Sequence, residues 1–108
     1  MDIILILDPD HEHAAALGRA LTALSCSAIL CRERRAALDI LRRRGVDVVV
    51  LVAKVTDEWK ACMEALSGAA MQCANPPGMA CILRGPYEGP SEKLYGARHG
   101  IRVIYEQY

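Results

Sequence analysis

Residues 3–13 read IILILDPDHEH, and the break inside that stretch points to the fold. Ile3 to Leu7 is apolar without polar alternation. A β-branched run that short predicts a strand buried on both faces, as in a parallel sheet. Asp8-Pro9-Asp10 ends it. The next residues, His11 to Leu24, predict a helix, with Leu17, Leu21 and Leu24 at i, i+4 and i+7 and Asp10 as N-cap. A strand that stops at carboxylates and passes at once into a helix is the start of a βα unit. Carboxylates at such a strand end are candidates to hold a metal or a phosphoryl group.

The same unit recurs along the chain. Ser27–Cys31 predicts a second strand and Glu33–Arg44 a second helix, with Gly45 as its stop. Val46–Ala53 (VDVVVLVA) is the strongest strand signal. Thr56 or Asp57 is placed to cap a third helix with Trp59, Cys62, Met63, Leu66 and Ala70 along one stripe. Asn75-Pro76-Pro77-Gly78 predicts a loop. Met79–Leu83, Ser91–His99 and Ile101–Tyr105 then predict strand, helix and strand. Five strands alternating with four helices imply an α/β fold: a doubly wound five-stranded parallel sheet with helices on both faces. The flavodoxin-like strand order 2-1-3-4-5 is the expected one.

Length and composition agree with one domain over residues 1–108. A chain of 108 residues suits a single core, and 53% hydrophobic residues mark a globular chain rather than a disordered one. Zero formal net charge gives no overall pull toward nucleic acid or anionic lipid. The longest apolar runs are too short to span a bilayer, and the first residues do not read as a signal peptide, so a cytoplasmic location is expected. Five cysteines at irregular spacing form no disulfide framework or zinc pattern and are expected to be reduced. No glycine-rich phosphate loop follows the first strand, no Ser-His-Asp or Cys-His set converges, and neither a cofactor nor an enzyme is expected.

In an open α/β sheet the site lies beyond the carboxyl ends of the strands. That rule selects Asp8, Pro9 and Asp10, then Val52, Ala53 and Lys54, then Arg84 and Gly85, and lastly Glu106 and Gln107. Read together, IILILDPD, VDVVVLVAKV, ACILRG and LYGARHGIRVIYEQY resemble the receiver domain of two-component response regulators over nearly the whole chain. The resemblance implies a magnesium-binding acidic pair, a phosphoaccepting aspartate, a Ser or Thr, and a lysine. The acidic pair maps to Asp8 and Pro9, or to Asp8 and Asp10. The acceptor position holds Val52, which has no nucleophilic oxygen. The Ser/Thr position holds Arg84, and the lysine maps to Glu106 or Gln107. The resemblance is therefore to a degenerate receiver, a pseudo-receiver, with an altered acidic pocket of Asp8, Asp10, Lys54 and Arg84. Arg84 or Lys54 is expected to pair with Asp8 or Asp10 where the metal would be. Asp8 and Asp10 are the weak metal candidates.

Other features have plainer readings. His11 and His13 among Asp8, Asp10 and Glu12 suggest a metal site, but helix-start capping explains most of the cluster. Asp57 reads as a cap or as a displaced acceptor. Six arginines between Arg32 and Arg44 read as a solvated helix face, or as a contact for nucleic acid or an acidic partner. Tyrosines gather in the last quarter of the chain. The receiver family's fifth helix has no counterpart after strand 5; either the chain is a piece of a longer protein, or Tyr95, Ile101, Val103 and Tyr105 are the expected contact face for a protein partner or a homodimer. The expected function is a non-catalytic receiver-like signalling domain acting through protein contacts. The alternatives are an atypical receiver that still binds magnesium or is phosphorylated, and a flavodoxin-like module for a small ligand.

Overall fold

A computed structural model describes residues 2–55, 58–85 and 90–106. The elements are β1 (Ile3–Leu7), α1 (His11–Ala23), β2 (Ser27–Cys31), α2 (Arg34–Arg43), β3 (Val48–Lys54), α3 (Trp59–Ala70), β4 (Gly78–Arg84), α4 (Pro90–His99) and β5 (Ile101–Glu106). All four strand pairings are parallel, in the order β2-β1-β3-β4-β5. This is the flavodoxin-like α/β arrangement that the alternation of apolar runs predicts.

Side-chain alternation divides the core in two. On one side Leu5, Leu7, Val49, Leu51, Cys81 and Leu83 pack against Ala37 and Leu41 of α2 and Trp59, Met63 and Leu66 of α3. On the other, Ile4, Ile6 and Val52 pack against Leu17 and Leu21 of α1. Strands β1 and β3 lie inside the sheet and are covered on both faces, which is why their sequences show no polar alternation.

Strand β3 begins at Val48 rather than Val46. Asp47 explains the delay: its N–H donates to the Ile3 carbonyl at 2.7 Å, and its Oδ2 accepts the Ile3 N–H at 2.7 Å. The residue therefore seals the entry to the sheet, while Val46 is buried in the core beside it. The proposed caps Thr56 and Asp57 lie outside the described residues. Asp57 as a displaced acceptor, and the positions of Tyr87, Gln107 and Tyr108, lie outside them too.

Helix α4 lies close on β5. A Cβ on Gly96 would stand 2.5 Å from the Ile101 carbonyl oxygen and 2.6 Å from Val103 Cγ2. Only a glycine lets the two backbones approach this far. Ile101, Val103 and Tyr105, expected as a contact face, turn toward α4, with Ile101 buried and the other two half-buried. Ile104, between them in sequence, points the other way and is 45% exposed. Tyr95 also faces inward, edge-on to Trp59 at 5.4 Å between ring centroids, and its hydroxyl donates to Glu64 at 3.0 Å.

Candidate functional site at the strand ends

The register of the sheet builds the site. Across β3, β4 and β5 the last aligned row is Lys54, Arg84 and Glu106. Beside it, β1 ends at Leu7 and hands the chain to Asp8, Pro9 and Asp10. Asp8, Asp10, Val52, Lys54 and Arg84 share one cleft of about 260 Å³, with Pro9 and Ala53. The strand-end rule therefore brings the sequence candidates together.

Asp8 is the buried charge of the cleft, at 1% exposure. Both of its oxygens are used: Oδ1 accepts the Asp10 N–H at 2.9 Å, and Oδ2 meets His13 Nδ1 at 2.5 Å. His13 reaches it because α1 starts immediately after the turn, which puts its first helical residues back over the strand end. The other ring nitrogen, Nε2, lies 2.8 Å from Glu106 Oε1 and 3.0 Å from Oε2. Burial works against the charged imidazole. The hydrogen bonds to Asp8 and Glu106, and their charges, outweigh it and hold the His13 pKa above its ordinary value.

Asp10 is the N-cap of α1, its Oδ1 accepting the His13 N–H at 3.1 Å. Its Oδ2 accepts from Arg84 Nη1 at 3.0 Å. The His13 N–H first, and the Arg84 guanidinium second, hold its carboxyl below the usual carboxylate range. Arg84 also approaches Glu106, with Nε 3.2 Å from Oε1, a charge contact in which the N–H is not aimed for a hydrogen bond. Of the four pairings that the sequence leaves open, Arg84 with Asp10 is present at 3.0 Å. Lys54 lines the cleft and is exposed. Val52, near the end of β3, is 2% exposed and belongs to the α1-side core.

The result is a closed ring of charge: Asp8 to His13, His13 to Glu106, Glu106 to Arg84, Arg84 to Asp10, and Asp10 back to Asp8 through its own N–H. It ties β1, α1, β4 and β5 together. Magnesium, which the receiver resemblance implies here, does not fit these residues. It needs several oxygen ligands in octahedral geometry, whereas both Asp8 oxygens are occupied, Asp10 is paired and Val52 offers none. Among the described residues no three His, Cys, Asp or Glu side chains form a metal-holding group, and His11 is exposed rather than joined to His13.

His13 and Glu106 are the residues whose part sequence reasoning missed. Glu106 stands among the strand-end residues, but nothing in the sequence pairs it with a histidine 93 positions away. The available signal was the first turn of α1, whose third residue can fold back over its own N-cap. Among the described residues no helix is long and apolar enough to cross a membrane. In comparisons with family models, with curated proteins and with solved structures, nothing matches this chain.

Proposed function

We propose that this chain is a receiver-like signalling domain of the cytoplasm that acts through protein contacts, without phosphorylation of an aspartate. The observation that carries the reading is the occupancy of Asp8. Both carboxylate oxygens are satisfied by the chain itself, while the strand-3 position that would accept a phosphoryl group holds the buried Val52. Phosphoryl transfer to a carboxylate requires a nucleophilic oxygen, a divalent cation and a cation to receive the product charge. At the strand ends the nucleophilic oxygen is replaced by the Val52 side chain, and Arg84 is engaged with Asp10. His13 and Arg84 do electrostatically what a metal would do: they neutralise the carboxylates and hold the strand ends in one arrangement.

The test is an amide NMR titration with magnesium, followed by magnesium with beryllofluoride as phosphoryl mimic. Resonances of Asp8, His13, Lys54 and Arg84 are expected to stay in place. Saturable shifts there would overturn the reading in favour of an atypical receiver that still binds its ion.

A further inference from the structure

The most lopsided feature of the molecule lies away from the strand-end cleft, around α2 and the free edge of β2. Residues 32–44 contain six arginines against two carboxylates, Glu33 and Asp39, in a chain of zero net charge. All six arginines are exposed. Among the described residues only Arg42 approaches a carboxylate, Asp39, at 3.9 Å. One side of the protein is therefore strongly cationic, and the remainder carries the balancing negative charge.

This cationic side borders an unpaired sheet edge. Among the described residues β2 pairs only with β1. The Ser27 N–H donates to the Asp2 carbonyl at 2.8 Å, and the Cys31 carbonyl accepts the Asp8 N–H at 3.0 Å. Alternate residues of a parallel strand turn their backbone groups to opposite sides. Ala28 and Leu30 thus present their N–H and C=O groups to the open edge. Leu30 itself is 43% exposed.

A groove runs along each face of that edge. On the α2 face, an open groove of about 700 Å³ is lined by Leu30, Arg32, Ala36 and Ile40, among others. On the α1 face, one of about 380 Å³ is lined by Ala15, Gly18, Arg19 and Leu30, among others. The floor of the α1-side groove is close-fitted, since Leu30 lies within ordinary contact of the Cβ position of Gly18.

From this we infer that the β2 edge and the arginine face of α2 form the docking surface for an extended acidic segment of a protein partner. The segment adds as a strand along Ala28 and Leu30, its carboxylates toward Arg32 and Arg35 and its apolar side chains toward Leu30 and Gly18. Strand addition draws affinity from main-chain hydrogen bonds and specificity from alternate side chains. Arginine suits the carboxylates because its planar fork binds them in two places. Nucleic acid fits less well. Among the described residues neither groove has an aromatic lining residue on which a base could stack, and the negative remainder of the molecule repels a long polyanion. The inference rests on the protein-contact reading, and the beryllofluoride titration tests that reading separately at the strand ends.

The probe is the synthetic peptide EVEVEVE, titrated into the 108-residue chain and followed by amide NMR. Saturable shifts are expected at Ala28, Leu30 and the first turn of α2, with binding weakened by salt. Arg32→Glu with Arg35→Glu, both at exposed positions, should weaken binding about tenfold or more without lowering the melting temperature. Two peptides, one N-methylated on its valines and one on its glutamates, complete the test: the set whose N–H groups face β2 should bind about tenfold more weakly when methylated, and this arm changes nothing in the protein. The inference is overturned if Ala28 and Leu30 do not respond, if KVKVKVK binds as well as EVEVEVE, or if neither N-methylation has an effect. It is likewise overturned if a short DNA duplex shifts α2 while the peptide does not.

Discussion

His13 Nε2 stands 2.8 Å from Glu106 Oε1, so the first turn of α1 and the last residue of β5 are joined through one imidazole whose other nitrogen holds the buried Asp8. Because its partners are carboxylates, the ring is held in the charged form. A histidine whose pKa is raised on folding contributes stability that is complete below the ordinary imidazole value and fades as pH rises through the folded value. His13→Gln should therefore cost most near pH 6, and the gap to the wild-type melting temperature should narrow toward about pH 9. A gap that is constant with pH would mean that the ring acts only as a neutral hydrogen-bonding spacer.

Val52 is the residue on which the proposed absence of phosphorylation turns. Val52→Asp puts a third carboxylate beside Asp8 in a position that is 2% exposed. The expected loss is about 3 kcal/mol or more, measured by urea unfolding at neutral pH. Burial raises the pKa of such a carboxyl, so the penalty should be present at neutral pH and shrink as the pH falls and the group takes up its proton. Recovery of stability on adding magnesium would show that Asp8 and Asp10 can release His13 and Arg84 to an ion, against the misfit argued above.

Gly96 gives a packing prediction. An alanine there gains helix propensity worth about 1 kcal/mol, but its methyl carbon must displace the Ile101 carbonyl, which lies 2.5 Å from the Cβ position. Overpacking against backbone costs about 1–3 kcal/mol. Gly96→Ala should consequently lower the melting temperature by several degrees. The disturbance should appear in the amide spectrum at Ile101 and Val103.

The cysteines divide by depth. Burial pushes the Cys31 thiol up to about 11 and the Cys81 thiol to about 12, with a smaller contribution from the nearby Cys62. The thiolate is the reacting species. At pH 8 an aromatic disulfide reagent should modify Cys26 and Cys73 first, both of which are partly accessible. Cys31 and Cys81 should react only when the protein unfolds. Peptide mapping after partial labelling checks the order.

The sheet was legible because its signal is local and repeated. Each of IILIL, SAILC and VDVVVLVA is short, apolar and followed at once by a helical pattern, and that alternation leaves few topologies open. The start of β3 was misjudged because Val46 looks like a strand residue, while the part played by Asp47 lies in its bonds to Ile3. Asp8, Asp10, Lys54 and Arg84 could be gathered by the strand-end rule. The ring they belong to could not, because the Glu106 and His13 contacts depend on sheet register and on one rotamer. The same limit applies to β5. Its sequence shows that Ile101, Val103 and Tyr105 share a face, but not which side α4 covers.

The ring of charge also sets an order of events in folding. Its two most distant members cannot meet until the intervening strands are in register, and contacts of such long sequence separation close late. A chain still being synthesised has Asp8 and His13 from the outset, but Glu106 only after β1 through β4 have been made. Until β5 docks, the imidazole lacks one of its two carboxylates. The strand ends are thus locked by the last strand to arrive, and the finished arrangement of the cleft signals that the whole sheet is in place.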